Sequence, residues 1–156
     1  KQVDVCSFYS DRCRSTHCKF GNLYKIYKIK DRRMVAIVDY NMGNLASVTN
    51  AFAKLNEDAV IVKDPDKFKE YDKLVLPGVG AFGDAMDHLK QRGMTEAVLE
   101  FAKSGKYMMG ICLGMQLLLK SSEEFGEHQG LGLIDGKVIA FESKKFEEPL
   151  KVPHMG

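Results

Sequence analysis

Tyr107-Met108-Met109-Gly110-Ile111-Cys112-Leu113-Gly114-Met115-Gln116-Leu117-Leu118 decides the fold. Its first half is a short apolar run of the kind that forms a buried strand. Its second half reads as an apolar helix, Leu113–Leu119, with only Gly-Ile-Cys-Leu-Gly at the junction. Gly-x-Cys-x-Gly between a strand and a helix is the nucleophile-elbow pattern with Cys in place of Ser. A tight strand-to-helix turn brings neighbouring backbones close and strains its central residue, so the flanking positions require glycine. The turn lifts the central side chain above the sheet. A buried Cys acting as a small hydrophobe is the plainer alternative. Strand, elbow and helix in the right order favour a catalytic Cys112.

The same alternation extends towards the N-terminus. Val35–Val38 and Ala59–Val62 are short apolar strands, and Leu74-Val75-Leu76 is a third, expected to stop at Pro77-Gly78. Leu45, Val48, Phe52 and Leu55 recur at helical spacing after the turn-forming segment Asp39–Asn44. Residues 82–91 and 95–103 read as helices, the second ended by Ser104-Gly105. Strands alternating with helices imply right-handed crossovers and a mostly parallel sheet covered on both faces, an α/β, flavodoxin-like arrangement. Beyond Gly130 the pattern changes: Gly132–Gly136 reads as a turn and Lys137–Phe141 as an outer, antiparallel strand.

Ligands of parallel α/β sheets bind at the carboxyl ends of the strands. Beside the elbow, that region holds the loop Pro77-Gly78-Val79-Gly80-Ala81-Phe82-Gly83. Its glycines permit backbone N–H groups to aim at a developing oxyanion, with the Leu113 N–H as a second donor. A Cys nucleophile needs a base, usually His. His88 falls in a helix, His128 in a polar loop and His154 near the last residue, and none is assigned by spacing.

Composition narrows the function classes. The 156 residues are 45% hydrophobic and 28% charged, enough for one domain with a core. No apolar run is long enough to span a bilayer, and the first residues lack a signal-peptide core. The net charge of +2 is uneven. Residues 1–33 carry nine Lys/Arg against three Asp, and residues 34–156 fourteen against eighteen Asp/Glu. The mildly acidic body argues against a nucleic-acid binder. Residues 1–33 also hold Cys6, Cys13, His17 and Cys18, whose spacing lacks the paired knuckle of a zinc site. We read 1–33 as a disordered or non-native leader and 34–156 as the N-terminal part of the domain, starting at Met34.

Gly-Ile-Cys-Leu-Gly-Met-Gln-Leu-Leu (110–118) resembles the elbow of class I glutamine amidotransferases. Asp-Tyr-Asn-Met-Gly-Asn-Leu (39–45), Pro-Gly-Val-Gly-Ala-Phe (77–82), Gly-Leu-Gly-Leu-Ile-Asp-Gly (130–136) and Val-Pro-His-Met-Gly (152–156) resemble, within that class, the glutaminase subunits of imidazole glycerol phosphate synthase, from histidine biosynthesis. The likeness runs from Met34 to Gly156. It implies that Cys112 attacks the glutamine side-chain amide, giving a glutamyl thioester and ammonia. It implies an oxyanion hole from Val79, Gly80 and Leu113, and glutamine contacts from Gly78, Gln116 and Glu124. It further implies a (β/α)8-barrel cyclase as heterodimer partner, met near Asn41, Asn44, Pro153, His154 and Met155. The cyclase would take the ammonia to make imidazole glycerol phosphate and an aminoimidazole-carboxamide ribonucleotide. No metal, organic cofactor, nucleic acid or membrane is implied, and a cytoplasmic location is expected.

One departure bears on activity. Family members carry a catalytic His and Glu as His-Pro-Glu beyond the Pro-His-Met-Gly motif, and this sequence contains no His-Pro-Glu. The expectation is a nearly inactive chain, about 10⁴-fold or more slower, with an uncovered sheet edge that invites aggregation. Two other readings are a catalytically inert fragment that docks on the cyclase, and a Cys-elbow α/β hydrolase of other specificity.

Overall fold

Val35–Val38 (β1), Ala59–Val62 (β2), Lys73–Gly78 (β3) and Tyr107–Cys112 (β4) pair side by side in the order β2-β1-β3-β4, every pair parallel. The computed structural model describes residues 34–140. The leader, Phe141, Pro153, His154 and Met155 therefore lie outside the described residues. Parallel neighbours require crossovers: Leu45–Lys54 (α1) joins β1 to β2, and Phe82–Gln91 (α2) with Met94–Lys103 (α3) joins β3 to β4, while Leu113–Leu117 (α4) follows β4. The flavodoxin-like α/β expectation is borne out.

Alternation along the strands sorts the core onto two faces. Val35, Ile37 and Val75 point to one side, where Leu45, Val48 and Phe52 of α1 cover them. Ala36, Val38, Leu74 and Leu76 point to the other, under Phe82, Leu89, Val98, Phe101 and Leu117. Asn44 starts α1 by accepting the Ser47 N–H at 3.1 Å. Gly105, at φ +76°, ends the α3 segment as its sequence indicates. The polar stretch after β2 forms a 3-10 turn, Pro65–Glu70, whose Phe68 is buried.

Three expectations need correction. First, β3 does not stop at Pro77: it runs to Gly78, because β1 pairs it only as far as Val75 and the missing Pro77 N–H falls beyond that ladder. Second, α4 ends at Leu117 and not Leu119. The N–H groups of Leu131, Leu133 and Gly132 bond the carbonyls of Leu117, Leu118 and Leu119, which a longer helix would have used itself. Third, the outer strand is neither Lys137–Phe141 nor antiparallel. Leu119–Ser122 (β5) pairs antiparallel with His128–Gln129 (β6) and parallel with Ile134–Val138 (β7). Gly136, at φ +131°, sits inside β7 near a register shift, so it forms a bulge and not a turn.

Among the described residues β4 borders its sheet, and Tyr107 and Met109 there are 80% and 56% exposed. No helix among the described residues is long and apolar enough to cross a membrane. The packing leads to a graded expectation. Leu89→Ala, in the fully buried face of α2, should cost about 2–5 kcal/mol, while Asn44→Ala should cost about 1 kcal/mol. Urea unfolding checks both, and an equal loss from the two would contradict this core.

Candidate active site

Cys112 is the last residue of β4 and the N-cap of α4, at φ +55° and ψ −122°. A residue with a β-carbon held there stores on the order of 1–3 kcal/mol, so the surroundings must enforce it. They do so through backbone contact. A Cβ added at Gly110 would lie 2.5 Å from Met115 Cα, and one at Gly114 would lie 1.9 Å from the Leu76 carbonyl oxygen. The first turn of α4 thus rests directly on its own strand and on β3. The Cys112 side chain is left exposed at the carboxyl end of the sheet.

The strand register sets Cys112 opposite Gly78. A Cβ at Gly78 would meet Gly114 N at 2.6 Å and Leu113 Cβ at 2.9 Å, so the start of the 77–83 loop abuts the elbow. Of the residues expected to form the oxyanion hole, Val79 is exposed, Gly80 has φ +91°, and Leu113 is buried with its side chain in the core. Above this loop Tyr40, fully buried, donates its hydroxyl to the Pro77 carbonyl at 2.7 Å. Burial disfavours the phenolate and pushes the Tyr40 pKa upwards, so the group remains a donor. Asp39 accepts the Asn41 N–H at 3.0 Å and faces Lys63 at 3.5 Å. Asn41, at φ +68°, is exposed, and Asn44 is engaged as the α1 cap.

Gln116 stands one helical turn beyond Cys112 and is half-buried. Glu124 lies in the loop between β5 and β6. Its carboxylate accepts the Phe82 N–H at 2.8 Å, at the first residue of α2. Ala81, the α2 N-cap, offers no side-chain cap of its own. The Glu124 N–H in turn bonds the buried Ser122 hydroxyl at 3.1 Å. Sequence reasoning missed this link and that of Tyr40, because both join residues far apart in the chain and neither leaves a local pattern. His128 was visible only as a loop residue, yet it packs against Gly83, where an added Cβ would lie 2.6 Å from its Cε1. It lines a cavity of about 300 Å³ with Met86, Asp87, Lys90 and Thr95. A larger cavity of about 410 Å³, between the 3-10 turn and α3, shares no residue with the elbow. Among the described residues no cluster of His, Cys, Asp or Glu is arranged to hold a metal.

The elbow contacts make a sharp comparison. Gly105→Ala meets open space and carries only the strain of φ +76°, about 1–2 kcal/mol. Gly114→Ala drives a Cβ into a backbone carbonyl and should cost at least about 3 kcal/mol or prevent folding. Thermal unfolding of the two variants checks the order, and a Gly114→Ala chain as stable as Gly105→Ala would contradict the geometry.

The solved structures that superpose on this chain have the same architecture. A crystal structure of a glutamine amidotransferase covers 66% of the chain with a TM-score of 0.58 at 20% identity. A peptidase E protein from Listeria monocytogenes, named putative, covers 65% with a TM-score of 0.54 at 15% identity. At those identities the likeness is one of fold alone. In sequence the chain is 75% identical over 123 residues to imidazole glycerol phosphate synthase subunit HisH of Sulfurimonas denitrificans. It is 63% identical over 123 residues to HisH of Wolinella succinogenes, and 52% over 132 residues to that of Helicobacter hepaticus. These alignments cover 79%, 79% and 78% of the chain but only 59%, 60% and 59% of the relatives, so the chain spans about three fifths of their length. A family model described as the CobB/CobQ-like glutamine amidotransferase domain matches residues 29–152. With the elbow, the parallel sheet and that match together, the chain belongs to the glutamine amidotransferase family.

Proposed function

We propose that this chain carries the glutaminase chemistry of an imidazole glycerol phosphate synthase. The observation that carries the reading is the strained Cys112, presented beside a glycine loop in a chain 75% identical to a HisH subunit. Cys112 Sγ attacks the side-chain amide carbon of glutamine. The C–N bond then breaks, ammonia leaves with the proton taken from the thiol, and a glutamyl thioester remains. Water attacks the thioester, releasing glutamate and restoring the thiol. The negative charge that develops on the amide oxygen is met by backbone N–H groups of Val79, Gly80 and Leu113. Gly78, Gln116 and Glu124 border the place where the glutamine lies. We assign no base among the described residues: His88 lies within α2 and His128 packs on Gly83. The family resemblance assigns that role to a His-Pro-Glu, a motif these 156 residues do not contain.

Free ammonia is protonated in water, and passing it directly to a cyclase barrel avoids that loss. Asn41 and Asn44 follow β1 at the same end of the sheet and belong to the face offered to the barrel. Histidine biosynthesis in the cytoplasm is the setting this implies, with the cyclase as the lyase half.

The test is thiol labelling with a glutamine-analogue electrophile, with and without the cyclase barrel, mapped by peptide mass. We expect modification at Cys112 that glutamine suppresses and that Cys112→Ala abolishes, with Cys6, Cys13 and Cys18 indifferent to glutamine. Equal reaction at all four cysteines, unprotected, would leave the chain an inert docking fragment. Labelling of Cys112 that glutamine leaves untouched would point to an elbow hydrolase of other specificity.

A further inference from the structure

The glycine loop beside Cys112 is gripped at both ends by hydrogen bonds from other parts of the chain. At its start the Tyr40 hydroxyl donates to the Pro77 carbonyl at 2.7 Å. At its end the Glu124 carboxylate accepts the Phe82 N–H at 2.8 Å. A peptide unit is planar, so fixing one of its two polar atoms fixes the direction of the other. The Tyr40 bond therefore aims the Gly78 N–H, and the Glu124 bond aims the Ala81 carbonyl, which also accepts the Ala85 N–H at 3.1 Å. Between these two units lie those joining Gly78, Val79, Gly80 and Ala81. Gly78 is held by its pairing with Cys112, but Gly80, at φ +91°, leaves the units beyond it free to rotate. An oxyanion hole needs those N–H groups aimed before the charge develops, so something outside the loop must hold them.

From this geometry we infer that Tyr40 and Glu124 are positioning residues that set the peptide orientations of Gly78–Ala81 for the reaction at Cys112. The inference rests on the glutaminase reading for the use of those N–H groups, though the grip itself does not. Both anchors are themselves anchored. Tyr40 is fully buried at the end of β1, and a Cβ at Gly78 would come within 3.0 Å of its hydroxyl, so glycine there makes room for the phenol. Glu124 is tied through its own N–H to buried Ser122. Its carboxylate also fills the uncapped N-terminus of α2, where a negative charge is favoured. For Glu124 this adds a task to the substrate contact implied by family resemblance, and the two tasks make different demands. Holding an N–H needs only an acceptor oxygen, whereas holding a substrate ammonium needs the charge.

Two alkylating reagents separate the outcomes in the full chain. A chloroketone analogue of glutamine is captured through a tetrahedral oxyanion, while iodoacetamide reacts by direct displacement and forms none. Tyr40→Phe and Glu124→Ala should each lower the ratio of chloroketone to iodoacetamide rates at Cys112 by about tenfold or more. Glu124→Gln keeps an acceptor oxygen and should restore the ratio. Hydrogen exchange of the 78–82 backbone should quicken in Tyr40→Phe and Glu124→Ala but not in Glu124→Gln. The inference is overturned if exchange over 78–82 is unchanged, or if both reagents slow together. It is overturned for Glu124 if Gln behaves as Ala, raising the half-saturating chloroketone concentration without lowering the limiting rate. Should Tyr40→Phe fail to fold, the Ala and Gln variants of exposed Glu124 still decide. A wild-type Cys112 that glutamine does not protect sinks the glutaminase reading alone, and the exchange measurement then judges the grip by itself.

Discussion

The backbone of α4 lies against the backbone of β3, and the rest of the site depends on that contact. It exists only because residue 114 has no side chain: a Cβ there would fall 1.9 Å from the Leu76 carbonyl oxygen. Close approach lets the chain turn from strand to helix within one residue. That residue, Cys112, takes the strain as a positive φ and is left with its side chain exposed. Gly110 and Gly78 repeat the logic on either side, each facing a neighbour that a methyl group would displace. Glycine here acts through steric fit more than through flexibility. The packed core around Leu74, Leu76, Leu113 and Leu117 holds the contact shut.

From that contact the functional geometry follows in steps. Registering β4 on β3 puts Cys112 beside Gly78, so nucleophile and glycine loop meet without any long-range search. The loop then needs rigidity that its own composition denies it. Tyr40 from the end of β1 and Glu124 from beyond β5 reach it from separate elements. The second sheet, β6-β5-β7, contributes by carrying Glu124 and by ending α4 early. A single residue, Leu118, joins the five-residue α4 to β5.

Much of this was legible in the sequence, and the reasons are local. Four apolar runs, with helical spacing after the first and the third, specify a parallel α/β sheet, because buried parallel strands lack polar alternation. The elbow announced itself because Gly110, Cys112 and Gly114 are close in sequence and each is dictated by the same turn. What escaped was set by distant partners. The carbonyls of Leu117–Leu119 are taken by residues 131–134, and no helix propensity reports such competition. Gly136 looks like a turn residue whether it makes a turn or a bulge; only its neighbour β5 distinguishes them. The bonds from Tyr40 and Glu124 span 37 and 42 residues and leave no trace in spacing.

The most direct test of the account is a crystal structure of the chain with a carbonyl-bearing glutamine analogue bonded to Cys112 Sγ. The account predicts the adduct oxygen within about 3 Å of a backbone N–H from the Val79–Gly80 segment and of the Leu113 N–H. An adduct whose oxygen turns to solvent, with Cys112 relaxed to a negative φ, would contradict it.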